Sequence, residues 1–280
     1  MAPNIQTLYP YSGALAQYVY CYYFFEGTDG DFKNMHYSFP HTYNAITIYS
    51  NGSYQIEEEK IIINGNDNGS PFVILQGKRT KPLLVDLNGK FARITIIFKP
   101  LGLNQFVNKP LSKLMGTAPR VFSEWQGKFY RQMLRNLFIE IPISQRIAYL
   151  EQFLLSILNP ISLTEIEISL IYLSDFNNER SISQIAALVS KPLRSFNRHF
   201  KSHIGVSPAC YRQIARFRHS LENKLFDEQF QKLTTIAYNS NFYDQAYFNK
   251  LYKQLSGSNP KKFFQSVRQI GDTHLVFKYI

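Results

Sequence analysis

The chain reads as α+β in two successive parts. A β-rich N-terminal region with trailing helices precedes an all-α C-terminal region that contains one helix-turn-helix unit twice. Three observations predict this. A punctuated pattern occurs as NRHFKSHIGVSPACY (197–211) and returns 52 positions later as NKLYKQLSGSNPKKF (249–263). Short apolar stretches separated by turn residues fill the first hundred positions. The net charge of +11 is also uneven: residues 1–177 carry 15 Lys and Arg against 14 Asp and Glu, whereas residues 178–269 carry 15 against 5.

In the N-terminal part, ITIYSNGSYQIEEEKIIING (46–65) reads as short strands broken by Asn-Gly turns, with Asn51-Gly52 a hairpin signal. PFVILQG (71–77), KPLLVDLNGK (81–90) and FARITIIFKP (91–100) continue the rhythm, and Ala92, Ile94, Ile96 and Phe98 share one face at period two. From 101 the pattern turns helical. SQRIAYLEQFLLSIL (144–158) sets Ile147, Leu150, Leu154 and Ile157 on one stripe, and Asn159-Pro160 stops it. That stripe fits either a seam between two protomers or packing on the chain's own sheet. Polar DFNNERS (175–181) reads as a linker. The organisation expected is thus 1–160 β-rich with trailing helices, 161–177 a connecting helix and linker, and 178–270 the tandem unit, with the tail from about 270 trailing the last helix.

In the first unit, Ile182–Val189 supplies helix one, with Ile185 and small Ala186 facing inward. Leu193 to about Ser202 is the second helix, held inside by Phe196 and Phe200, four residues apart. Arg194, Asn197, Arg198 and Lys201 lie away from that anchor. In a helix-turn-helix the second helix enters the major groove, where Arg reads guanine and Asn reads adenine. Lys201 and His203 suit phosphate. Gly205 supplies a left-handed stop, and Ser207 with Pro208 opens a further helix over about 208–224 that spaces the two units. In that helix Arg216 or Arg218 is as well suited to a salt bridge between the halves as to a phosphate. In the second unit Ile236 and Ala237 match Ile185 and Ala186, Asn241 takes the turn, and Asp244 caps the second reading helix. That helix presents Gln245, Ala246, Asn249 and Lys250 outward and keeps Phe248 and Tyr252 inside. A basic module of about 90 residues fits a phosphate-backbone binder. The partner read from these residues is double-stranded DNA.

At these residues the chain resembles the AraC/XylS family of bacterial transcription regulators. The family's GxSPxxY and R-F-R elements stand here as GVSPACY (205–211) and RFR (216–218), and its second-unit signature as IAYNSNFYDQAYF (236–248) and GSNPKKF (257–263). Departures are Pro192 where a capping Ser is common, Asn241 for a usual Gly, and Ala246 and Asn259 for usual Ser residues. ILQGKRTKP (74–82) and FKPLGLNQFVNKPLSKL (98–114) are similar to the sensory domains of a branch of the family. The resemblance implies a cupin-like sensing domain ahead of the double helix-turn-helix DNA-binding domain. It also implies activation more often than repression, RNA polymerase as a partner, and a small-molecule effector or a second protomer on the N-terminal half.

The aromatic stretch YVYCYYFFEG (18–27) puts Tyr18, Tyr20 and Tyr22 on one strand face, which fits an aromatic-lined effector pocket or ordinary β-core packing. No enzyme is expected: catalytic residues, cofactor and metal ligands are all absent from the reading. His36 and His41 form neither a His-x-His pair nor a helical HExxH, and no phosphate loop or GxSxG turn occurs. Two cysteines, Cys21 and Cys210, in isolated contexts fit a reducing cytoplasm, on the nucleoid for a DNA binder. MAPNIQTLYP lacks the order of a signal peptide, and no run of about 18 apolar residues could span a membrane. Two functions of different class stay open: a regulator whose N-terminal half takes an effector or a second protomer, and a DNA-binding or scaffold protein without ligand input.

Overall fold

The computed structural model describes residues 5–27, 29–116, 118–224, 244–269 and 276–280. The strands are β1 (Ile5–Leu8), β2 (Val19–Gly27), β3 (Lys33–Ser38), β4 (Asn44–Tyr49), β5 (Ser53–Ile56), β6 (Lys60–Gly65), β7 (Phe72–Gln76), β8 (Leu83–Gly89), β9 (Phe91–Phe98), β10 (Arg120–Val121), β11 (Arg268–Gln269) and β12 (Val276–Tyr279). The helices are α1 (Gly13–Ala16), α2 (Leu111–Leu114), α3 (Lys128–Leu137), α4 (Ile143–Ile157), α5 (Thr164–Ser174), α6 (Ile182–Leu188), α7 (Leu193–Ile204), α8 (Pro208–Glu222), α9 (Gln245–Ser256) and α10 (Pro260–Ser266).

The strands form two six-stranded sheets. The first runs β1-β2-β9-β4-β7-β10 and the second β11-β12-β3-β8-β6-β5. Among the described residues every pairing is antiparallel except β6 with β8. Phe25, Tyr49, Ile74 and Phe91 of the first sheet meet Ile61, Ile63, Val85 and Leu87 of the second in a shared core. The other face of the first sheet, carrying Tyr22, Phe24, Ile48, Ile94, Ile96 and Phe98, is covered by α3 and α4. A strand buried on both faces has no polar side to show, which is why VYCYYFF and ITIIF run almost continuously apolar. The stripe Ile147, Leu150 and Leu154 is fully buried against this sheet, so of its two readings packing on the chain's own sheet is the one observed.

Three local expectations differ from the structure. Asn51-Gly52 does not close a hairpin: β4 belongs to the first sheet and β5 to the second, so the chain changes sheets there. The Asn51 amide donates to the Asn66 carbonyl, and Gly52 sits at φ +122° where a Cβ would lie 2.5 Å from the Asn64 carbonyl oxygen. The Asn-Gly pair meets the need for a left-handed residue at a crowded corner, a need that a sheet-switching bend shares with a hairpin. Tyr18, Tyr20 and Tyr22 do not share a face. The pairing of β2 with β9 shifts between Val19 and Cys21, and this bulge rotates Tyr20 away. Finally, the tail does not trail. Phe277, Lys278 and Tyr279 pair with Ser38, Tyr37 and His36, so β12 extends the second sheet of the N-terminal part.

The C-terminal helices build two cores. Leu163 at the N-cap of α5, with Ile166 and Leu173 on it, packs with Ile185, Ala186, Phe196, Phe200 and Tyr211 in the first. Phe217, Leu221, Phe248, Tyr252, Leu255 and Phe263 form the second, together with Phe39 from the sandwich. Helix α8 runs through both, giving Tyr211 and Ala215 to one and Phe217 and Leu221 to the other.

Candidate nucleic-acid interface

Helix α6 begins at a reciprocal cap in which the Ser181 hydroxyl accepts from the Gln184 N–H and the Gln184 side chain accepts from the Ser181 N–H. The turn to α7 carries Ser190 at φ +53°, a left-handed conformation for which glycine is the easier residue. Pro192 stands at the N-cap of α7 without a side-chain bond to the helix. Gly205 ends the helix at φ +90°, and its N–H reaches the Lys201 carbonyl. Ser207 caps α8 through the Cys210 N–H at 3.3 Å, with Pro208 in its first turn. In the second unit Asp244 caps α9 through the Tyr247 N–H at 2.6 Å, Gly257 ends it at φ +75°, and Asn259 caps α10 through the Lys262 N–H at 3.0 Å. Ile236, Ala237 and Asn241, the expected first helix and turn of this unit, lie outside the described residues.

These boundaries set which side chains of α7 and α9 are exposed. On α7, Phe196, Phe200 and Ile204 are buried while Arg194, Arg198 and Lys201 are exposed. Asn197 is half-buried, and its amide donates to the Leu193 carbonyl at 2.8 Å. On α9, Phe248, Leu251, Tyr252 and Leu255 are buried while Gln245, Ala246, Asn249 and Lys250 are exposed. Neither helix contains an acidic residue, so both exposed faces are free of the charge that phosphate would repel. His203 sits at the other side of α7, its ring 4.7 Å from His199 and its carbonyl accepting from the Asn104 amide at 3.0 Å. The C-terminal end of α7 is therefore docked on the N-terminal part of the chain, while Arg194 and Arg198 near its start are exposed.

Arg216 and Arg218, equivalent in the sequence pattern, separate in space. Arg216 and Arg212 both bind Glu179, the latter at 3.2 Å, and Arg216 lies over the Phe176 ring at 5.5 Å. These contacts fasten α8 to the segment before α6. Arg218 is buried and lines a cavity of ≈ 70 Å³ between the two sheets, together with Arg79, Arg93, Asn44 and the ring of Phe277. Sequence reasoning passed over Arg79 and Arg93. The visible signal was Arg93 inside an otherwise apolar strand, FARITIIF. Tyr18, Tyr20 and Tyr22 are not among the residues lining the cavity. Tyr18 packs on Phe106, Tyr20 on Tyr43, and Tyr22 donates to Glu151 at 3.2 Å. Among the described residues no three His, Cys, Asp or Glu side chains converge as a metal site.

His36 lies on the cavity wall, 5.0 Å from the Phe277 ring, and burial followed by the nearby Arg93 charge lowers its pKa to about 3. Between pH 6.5 and 3 the unfolded chain therefore binds a proton at this residue that the folded chain refuses. Stability is expected to fall on acidification below pH 6.5, by about 1.4 kcal/mol per pH unit from this group. Urea unfolding at pH 6.5 and 5.0 checks it: His36→Gln should flatten the difference, and an unchanged pH response in that variant would reject the assignment.

Residues 185–266 match the profile of the helix-turn-helix domain family, and residues 7–119 match a domain of unknown function, DUF6597. No curated protein sequence matches the chain. Among solved structures, ToxT from Vibrio cholerae O395 is similar at 14% identity and TM-score 0.42, over 93% of this chain and 97% of that one. Wild-type ToxT from Vibrio cholerae strain SCE256, bound to an unsaturated fatty acid, is similar at 12% identity and TM-score 0.43, over 94% and 95%. These likenesses are distant, and the helix-turn-helix assignment rests on the domain profile. With left-handed stops at Gly205 and Gly257 and the helices α7 and α9 joined through α8, residues 185–266 form a helix-turn-helix domain.

Proposed function

We propose that the protein is a sequence-specific regulator that lays α7 and α9 into two adjacent major-groove segments and whose β-sandwich senses a small molecule. The observation that carries the reading is the pair of exposed faces. Arg194, Arg198 and Lys201 stand on one helix and Gln245, Asn249 and Lys250 on the other, each opposite buried aromatic anchors. Arg194, Arg198 and Asn249 suit base edges, and Lys201 and Lys250 suit phosphate. Asn197 joins them once its amide leaves the Leu193 carbonyl for a base. Ala246 offers a thymine methyl an apolar contact. Activation through RNA polymerase in the cytoplasm is the outcome the family resemblance favours. Pairing of two protomers would use a face other than the buried α4 stripe. No helix among the described residues is long and apolar enough to cross a membrane.

Selection of sites from random duplex DNA by the full-length protein, at fixed salt near physiological, tests the reading. Two short motifs about one helical turn (roughly 34 Å) apart are expected. A single motif would remove one helix from the interface, and none, with or without candidate effectors, would reject the reading. On the selected site Arg198→Ala is expected to cost about 1–3 kcal/mol and to relax preference at one base position. A variant as selective as the parent in a competition assay would take Arg198 off the base edges.

A further inference from the structure

Resting on the sandwich as the sensing half, we infer that the cavity between the sheets is a binding site for a small oxyanion, a short carboxylate or a phosphate, gripped by Arg79 and Arg93 and reached by Arg218 from α8. The first support is charge. Among the described residues three arginines line the cavity and no Asp or Glu does. Arg79 and Arg93 are 8% and 4% exposed and make no ion pair among the described residues. Arg218 differs in having Glu222 within electrostatic reach. Buried cations are ordinarily paired, because removing a charge from water is costly.

The second support is unused hydrogen-bonding capacity on residues that line this one cavity. Arg79 donates through Nη2 to the Ser38 hydroxyl at 2.9 Å, while its Nη1 has no protein partner. Arg93 donates through Nη1 to the Tyr49 hydroxyl at 3.3 Å and lies over the Phe25 ring at 4.7 Å, while its Nε has no protein partner. Asn44 accepts from Lys78 at 2.9 Å and keeps a buried Nδ2 without a protein partner. These are all donors, and a group with several lone pairs and no proton satisfies them together. Burial also lowers the Arg79 pKa, to about 9, so the group is still charged at neutral pH and an anion beside it would offset that penalty.

The third support is what encloses the site. Arg93 comes from β9, Arg79 from the segment between β7 and β8, Arg218 from the α8 spine, and Val276 and Phe277 from β12. An oxyanion there touches the sensing sheets and the helix that spaces the two reading units. Its occupancy can therefore bias how α8 sits on the sandwich, because a ligand shifts an equilibrium by its difference in affinity for the two states. A cavity of ≈ 70 Å³ suits a small oxyanion.

The test is calorimetric titration of the full-length protein in Tris chloride at constant ionic strength with acetate, butyrate, succinate and inorganic phosphate, beside the neutral amides acetamide and butyramide. At least one anion is expected to bind saturably. A bound carboxylate should exceed its amide at least tenfold, Arg79→Gln should weaken the anion at least tenfold, and Arg79→Lys should fall between. Phosphate binding alone would assign a tetrahedral ligand, and carboxylate binding a planar one. Absence of saturable binding by every anion, equal binding of acid and amide, or an unchanged affinity in a folded Arg79→Gln protein would overturn the site. DNA affinity measured with and without the anion separates this from the sensing role. An anion that binds without altering DNA affinity supports the site and removes the sensor. A different metabolite that alters DNA affinity while no anion binds keeps the sensor and removes the site.

Discussion

Phe217→Ala is expected to destabilise the protein by about 3–5 kcal/mol, the range for removing a large aromatic side chain from a packed core. Phe217 is completely buried, with ring centroids 5.0 Å from Tyr252 and 5.8 Å from Phe263. Phe263 in turn meets Phe39 of the sandwich edge-on at 4.8 Å. The residue sits where α8, α9, α10 and the N-terminal sandwich converge, so the cavity left by alanine cannot close by moving one helix. A leucine at 217 keeps most of the apolar volume and should lose much less. The two variants should differ in guanidinium unfolding midpoint by well over the experimental spread. The second unit is also expected to suffer selectively. Once α9 loses its seat on α8, site selection with the alanine variant should retain the first motif and lose the second. Equal stability of the two variants would show that the α8–α9 packing is not as drawn.

The same residue shows what sequence could and could not convey. Phe217 stands between the two arginines of RFR, on the spacer helix over about 208–224 that the sequence announces through Ser207 and Pro208. The caps at Ser207 and Asp244 and the left-handed stop at Gly205 were legible in the same way, because each depends on neighbours within four residues. The contact between Phe217's cluster and Phe39 spans most of the chain and leaves no local trace. The same holds for β12, whose residues Val276–Tyr279 read as a short apolar tail until β3 supplies the partner. Arg218 is the sharpest case. In sequence it is one of two similar arginines, and only the fold of β9 and β12 beneath α8 makes it a cavity residue while Arg216 goes to Glu179. At Asn51-Gly52 the local chemistry was legible but ambiguous, since a left-handed corner serves a hairpin and a change of sheet equally well. Tyr20 was misplaced for a related reason: a bulge breaks the period-two rule at one bond and nothing in the residue types announces it.

Glu151→Leu is expected to cost about 2–4 kcal/mol, although leucine would match the apolar neighbours Leu150, Phe153 and Leu154 on α4. Glu151 is 6% exposed and collects three donors from the other end of the chain. Its Oε1 accepts from the Tyr11 N–H at 2.8 Å and from the Tyr22 hydroxyl at 3.2 Å, and its Oε2 accepts from the Ser12 N–H at 3.0 Å. The carboxylate thus ties the segment before α1 and the β2 strand to α4, and a leucine would strand three donors rather than fill a hole. The Tyr22 hydroxyl is the costliest of these, because it is fully enclosed, whereas Tyr11 is near enough to solvent to recover part of its bond through water. Glu151→Gln keeps an amide oxygen for the Tyr22 hydroxyl or one N–H but presents a donor where an acceptor is needed, so it should fall between the parent and the leucine variant. Tyr22→Phe in the leucine background separates the terms. If the stranded hydroxyl dominates, removing it should restore about 1 kcal/mol or more in urea unfolding, while the same change in the parent should destabilise. Additive effects of the two changes would mean that Glu151 acts through packing and not through the bonds it accepts.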